Sequence, residues 1–249
     1  MTDDAADDLE LEHHAIDRAL DDCDWDRARA LVDALAAKLG DDHEQIRYDR
    51  AVLAWELEGP RTALDHLDAL LRDYPDHADA HYIRAIACEE LDDREGMILH
   101  YAKVLELDAD AFAELYGPEV ELDKDELSLD EILDTIEAEA RDVLADVPER
   151  FKTALAHVPI ILEAAPHEGL VNEGFDPRAL GLFEGPAHGR FDAGEAAFAP
   201  TRIVLFYANL LSDFPEPEAL SDQIEITLLH EIGHYFGLDE DDLARMGLD

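Results

Sequence analysis

Residues 227–243 read TLLHEIGHYFGLDEDDL and contain His230-Glu231-x-x-His234. On a helix, two histidines four residues apart project from one face, one turn apart. Their ring nitrogens can then reach a single ion at about 2.0–2.1 Å, the zinc–imidazole distance. Glu231 is rotated one residue away, outside the ligand set, where it can take a proton from a metal-activated water as general base. The pattern therefore predicts a zinc helix with His230 and His234 as metal ligands and Glu231 as the catalytic group.

Upstream, Pro217 suits a first helical position, and Gly237 suits a C-terminal stop. Ile224, Leu228 and Ile232, extended by Tyr235 or Phe236, give the predicted helix an apolar side that fixes it against a sheet. A third protein ligand is expected after the helix or upstream of it. No further helix is expected in the fifteen residues after His234. Gly237, free to take positive φ, lets the chain turn back towards the metal. Glu240 follows three residues later and is the preferred third ligand, with Asp241 and Asp239 as alternatives and a solvated acidic run as the plain reading of DEDD.

Between residues 128 and 226 the texture is mixed. Leu129, Ile132, Leu133, Ile136, Ala140, Val143, Leu144 and Val147 follow helical spacing up to Pro148. The short helix ERFKTAL comes next. VPIILEA, LGLFEG and RIVLFY are short runs rich in β-branched and aromatic residues, bounded by Pro and Gly, and predict strands. GPAHGRFDAGEAAFAP separates the last two as a loop, and its His188 is a weak candidate for touching substrate. The order helix, helix, three strands, long helix predicts an α+β domain over 128–249.

The N-terminal half has a different period. A shift of 34 residues carries Tyr48, Arg50, Ala51, Glu56 and Leu57 onto Tyr82, Arg84, Ala85, Glu90 and Leu91. The same shift pairs Ala63 with Met97, Leu67 with Tyr101 and Leu70 with Val104. WDRARALVDALAAKLG is a weaker copy, one residue out of register, with Ala28 and Leu35 at matching sites. These offsets resemble tetratricopeptide repeats over 13–116, with Pro75 at the repeat-ending position and Ala109 at the next. Stacked helix pairs of this kind form one curved surface suited to a protein partner. Gly117, Pro118 and an acid-rich stretch predict a linker over 117–127, and residues 1–12 an acidic tail. The remaining histidines of this half, His13, His14, His43, His66, His77, His81 and His100, are expected on exposed faces.

Composition sets outer bounds. Sixty-three acidic residues face nineteen basic ones, four Lys and fifteen Arg, for a formal net charge of −44. That excludes a direct nucleic-acid surface, which needs clustered cations, and it suits a salt-rich cytoplasm where repulsion is screened. Hydrophobic residues at 47% suffice for cores. Cys23 and Cys88 form no C-x-x-C pair, so neither a disulfide nor a cysteine metal site is expected. No apolar run reaches the roughly 20 residues of a membrane helix, and the acidic N-terminus lacks a secretory signal; a soluble cytoplasmic protein is expected.

PERFKTALAHVPIILEAAP, LGLFEGPA, PTRIVLFYANLL and TLLHEIGHYFGLDEDDL together resemble the bacterial zincin-like metallopeptidases known as minimal zincins. The resemblance implies a zinc helix packed on a small mixed sheet, a Zn2+ cofactor and hydrolysis of peptide bonds. Its third ligand position, commonly Asp, is Glu240 here. RIVLFY or LGLFEG is then the expected edge along which a peptide substrate adds. The alternative is a repeat-based adaptor whose zinc domain is structural. Met246 falls too soon after the helix for a metzincin Met-turn and is read as tail packing.

Overall fold

A computed structural model describes residues 11–16, 18–20, 22–118, 120, 127–185 and 201–246. His188 and most of the predicted acidic tail and linker lie outside the described residues. The chain is α+β and divides into two compact units, one running through Leu107 with Val171–Gly174, the other comprising Asp108–Leu170 and the chain from Phe175.

The first unit is helical, with residues 11–16 and 18–20 followed by α1 (Trp25–Leu39), α2 (Glu44–Glu58), α3 (Pro60–Asp73), α4 (Ala78–Glu90) and the start of α5 (Arg94–Tyr116). The 34-residue offset reappears in burial: Ala51 and Ala85, Ala63 and Met97, Leu67 and Tyr101, Leu70 and Val104 are all buried. Small residues on the first helix of each pair let the second approach closely, and the larger ones fill the seam. The caps repeat too. His43 Nδ1 accepts the Gln45 N–H and His77 Nδ1 accepts the Ala80 N–H, each at 3.3 Å.

Four histidines, His13, His77, His81 and His100, depart from the exposed positions expected of them. His81 is 9% exposed, and its ring stacks on that of half-buried His100. His81 lies on α4 and His100 on α5, and the two rings meet between the helices.

In the second unit α6 (Leu129–Asp146) begins with a capping box, Ser128 and Glu131 bonding each other's backbone N–H groups. Pro148 then opens α7 (Glu149–Leu155), and β1 (Ile160–Glu163), α8 (Glu168–Asn172), β2 (Gly181–Glu184) and β3 (Arg202–Phe206) follow. β3 runs directly into α9 (Tyr207–Asp213), and α10 (Pro217–Tyr235) and α11 (Glu240–Ala244) complete the described elements. The sheet order is β1-β3-β2, with β1 parallel and β2 antiparallel to β3.

Ile203 and Leu205 from β3 share a buried cluster with Ile136 and Ala140 of α6 and with Leu220, Ile224, Leu228, Ile232 and Tyr235 of α10. The apolar side predicted for the zinc helix is therefore its core face. Arg202 bridges outward to Glu163 on β1 and Glu184 on β2, tying the three strands together.

Three short helices, α8, α9 and α11, were not expected from periodicity. RIVLFY, expected as one of two possible edges, holds the central strand; among the described strands the edges are β1 and β2. Met246 is 63% exposed, so it does not pack as a tail anchor.

Candidate metal centre

α10 ends in a Schellman turn. The Gly237 N–H donates to the His234 carbonyl at 2.9 Å and the Leu238 N–H to the Gly233 carbonyl at 3.0 Å, with Gly237 at φ +81°. Only a residue tolerant of positive φ reverses the chain this sharply. Asp239 then caps α11 by accepting the Asp242 N–H at 2.9 Å. Leu243, fully buried, lies over Gly233 and seats α11 against α10. The expectation that no helix follows is thereby corrected. A short one does, because a Ser/Asp-type cap inside the acidic run starts it, and Glu240 is its first residue.

The result is a convergence of three groups. His230 Nε2 and His234 Nε2 lie 2.9 Å apart. Glu240 places Oε1 3.2 Å from His234 Nε2 and Oε2 3.7 Å from His230 Nε2. Ligand atoms around a tetrahedral ion at about 2.0–2.1 Å stand roughly 3.3 Å from one another, and these separations bracket that value. His234 Nδ1 faces the Leu238 carbonyl at 3.3 Å. A carbonyl only accepts, so Nδ1 carries the proton and Nε2 presents its lone pair to the centre, as second-shell bonds do for metal-ligating histidines. The donor set of two imidazoles and a carboxylate fits zinc, and among the described residues these three form a group that could hold a metal ion. Asp239 is engaged as the cap of α11, and neither it nor Asp241 joins the group.

Glu231 points elsewhere. It is 7% exposed and lies between α10 and β2. Burial raises its carboxyl above the usual range, while His230, His234 and the Phe183 backbone N–H, which hydrogen-bonds it, pull in the other direction. The Phe183 amide is free to do so because of register. The Phe206 N–H donates to the Leu180 carbonyl at 2.9 Å and Leu182 pairs with Val204, so Leu180, Leu182 and Glu184 turn their backbone groups to β3. Gly181 and Phe183 consequently turn theirs away from β3, to the side of β2 where no described strand lies.

The lead into β2 is also anchored. Asn209, buried on α9, donates its amide to the carbonyls of Pro177 at 2.9 Å and Ala179 at 2.7 Å. Arg178 meanwhile grips Asp108 with two bonds of 2.8 and 2.9 Å. Gly181, Phe183 and Asn209 escaped the sequence reading, since their roles arise from pairing across the sheet. The only hint available was the glycine inside an apolar strand, which marks a close approach of backbone.

A histidine pair on α10 and a carboxylate on α11, brought together beside a small mixed sheet, form a group that could hold a metal ion. Residues 155–248 match the family described as zincin-like metallopeptidase, and this C-terminal part of the chain is a zincin-like domain. No curated protein matches the chain. Among the described residues no helix is long and apolar enough to cross a membrane.

Proposed function

We propose that the C-terminal domain is a zinc-dependent peptidase and that the helical repeats recruit its substrate or a protein partner. The observation that carries this reading is the placement of Glu231. It sits beside the His230, His234 and Glu240 group yet outside it, and against Gly181 of β2. A structural zinc site closes its coordination with protein ligands and needs no buried carboxylate next to it.

His230 and His234, through Nε2, and Glu240, through its carboxylate, hold the ion in this proposal. When bound, zinc supplies Lewis acidity that activates water and polarises the scissile carbonyl. Glu231 accepts the proton of the attacking water and passes it to the nitrogen of the leaving amine, so one carboxylate serves first as base and then as acid. The outward backbone groups of Gly181 and the Phe183 carbonyl align an extended peptide by strand addition, the Phe183 N–H being engaged with Glu231. Phe183 stacks edge-on against Tyr235 at 5.5 Å, which fixes β2 relative to the helix bearing Glu231. Tyr48, Trp55 and Tyr82 are half-buried aromatic residues on the first helices of successive pairs, suited to gripping an amphipathic partner.

The test is cleavage of a mixed peptide library by protein stripped with a chelator and then reloaded with zinc. Stripping should abolish cleavage and one equivalent of zinc should restore it. Cleavage that persists without metal, or none from the zinc-loaded protein, rejects the peptidase.

A further inference from the structure

Gly181 has an ordinary backbone: it is absent from the glycines with positive φ. Conformational freedom is thus not what the position requires. The missing side chain is. A Cβ on Gly181 would stand 2.8 Å from Thr227 Cγ2, 3.1 Å from Glu231 Cγ and 3.2 Å from Glu231 Oε1. Two of these atoms are γ carbons, each one bond from its Cβ on α10, so the contact is not with a flexible tip that could swing clear. Thr227 is itself buried, and its Oγ1 accepts from Gln223 Nε2 at 3.4 Å.

We propose that Gly181 is a positioning residue: its bare Cα lets β2 close on α10, so that the outward N–H of Phe183 grips the carboxylate of Glu231. This rests on the reading of Glu231 as the proton carrier of a peptidase. The strand cannot back away at its start, because Asn209 holds the carbonyls of Pro177 and Ala179. Further along, Phe183 is packed on Tyr235. A methyl at position 181 therefore falls between two fixed points, and the displacement is taken up at Thr227 and Glu231. His230 and His234 are half-buried and Glu240, on α11, is exposed; none of them supplies the atoms nearest a Cβ at position 181. Gly181 accordingly sets where the proton is taken while leaving the metal ligands alone.

The experiment compares zinc-loaded wild type, Gly181→Ala, Gly181→Ala/Thr227→Ser and Glu231→Ala by amide hydrogen exchange at residues 182–184, and the first three also by peptide kinetics. In the wild type the Phe183 amide should be protected although it turns away from β3. It should exchange at least ~10-fold faster in Gly181→Ala and in Glu231→Ala, while Leu182 and Glu184, bonded to β3, stay unchanged. For Gly181→Ala, kcat should fall ~10–100-fold, since displacing a reacting group by an ångström costs that much, with KM and zinc affinity within about threefold of wild type. Removing the Thr227 methyl in the double variant should recover part of both losses.

Equal Phe183 exchange in wild type and Glu231→Ala overturns the inference. So does a Gly181→Ala variant in which Leu182 and Glu184 are exposed in step with Phe183, or in which zinc affinity falls with kcat, because plain strand packing gives those results. If zinc-loaded wild type cleaves no peptide, the peptidase reading fails, and the exchange data still decide whether Gly181 seats Glu231.

Discussion

His81 Nδ1 and His100 Nδ1 stand 2.7 Å apart, with ring centroids separated by 4.9 Å. His81 Nε2 lies 2.9 Å from the Pro75 carbonyl, which can only accept. That fixes the His81 proton on Nε2, so His81 Nδ1 accepts from His100 Nδ1–H, and the pair is satisfied when both rings are neutral. Burial lowers both histidines, His100 to about 4, with Arg84 adding to the effect on His100 and Lys103, Arg84 and His77 to that on His81; Pro75 opposes it on His81 and Asp68 and Asp93 on His100.

Stability should therefore depend on pH through this pair. The folded His100 ring takes up a proton only near pH 4 and His81 below its ordinary range, whereas unfolded histidines do so near 6.5. Between those values the unfolded state binds more protons, so stability is full above about pH 6.5 and is lost as the pH falls towards 4. Thermal unfolding from pH 7 to 4.5 should show wild type losing on the order of 2–4 °C more than His100→Gln. Parallel loss in the two proteins contradicts the account.

The third ligand can be separated from its neighbours. Glu240→Ala should weaken zinc binding more than ~100-fold, beyond the 10–100-fold typical of second-shell losses. Asp241→Ala should leave affinity nearly unchanged. Asp239→Ala should cost about 1 kcal/mol of stability as a lost helix cap with only a minor effect on zinc. Equal zinc retention by all three, measured by competition with a chromophoric chelator, would point to a ligand elsewhere.

Salt should matter. With a net charge of −44, compaction draws like charges together, and removing screening should lower Tm steeply. Chloride and sulfate salts at matched ionic strength separate screening from strengthened apolar burial. A Tm that is the same in molar KCl and in dilute buffer contradicts adaptation to a salt-rich interior.

We propose residues 117–127 as the boundary between repeats and peptidase. Cutting there should yield a helical first piece and a second piece holding all the zinc. Phe112 stacks on Tyr116 at 4.7 Å and meets Tyr207 at 5.9 Å, and both packed rings lie on the core of the second unit. A fragment starting at Asp108 should thus be more stable than one starting at Ser128, measured by thermal unfolding. If neither fragment folds or binds zinc in high salt, the boundary is wrong.

The amino-acid order made much of this legible for physical reasons that also mark its limits. Period reports which face of an element is buried, so α10, the three strands and the 34-residue helix pairs could be read directly. It does not report neighbours. Nothing in RIVLFY says that it lies between two strands, and nothing in LGLFEG says that Gly181 meets Glu231. α9 was hidden because RIVLFYANLL has no break at Phe206–Tyr207, and α11 because its cap, Asp239, sits in a run of acids. Helices of five to seven residues draw their stability from packing, here Leu243 on Gly233, more than from local preference. His81 and His100 were misjudged because histidine suits surface and seam equally.

The most direct test of the peptidase account is the rate of peptide hydrolysis by wild type and Glu231→Gln, each carrying one zinc per chain. Gln fills the space of Glu and leaves His230, His234 and Glu240 in place, but it cannot accept a proton. The account predicts equal zinc content and a fall in kcat of ~10²–10⁴, the usual contribution of general acid–base catalysis. Equal hydrolysis by the two zinc-loaded proteins would contradict it.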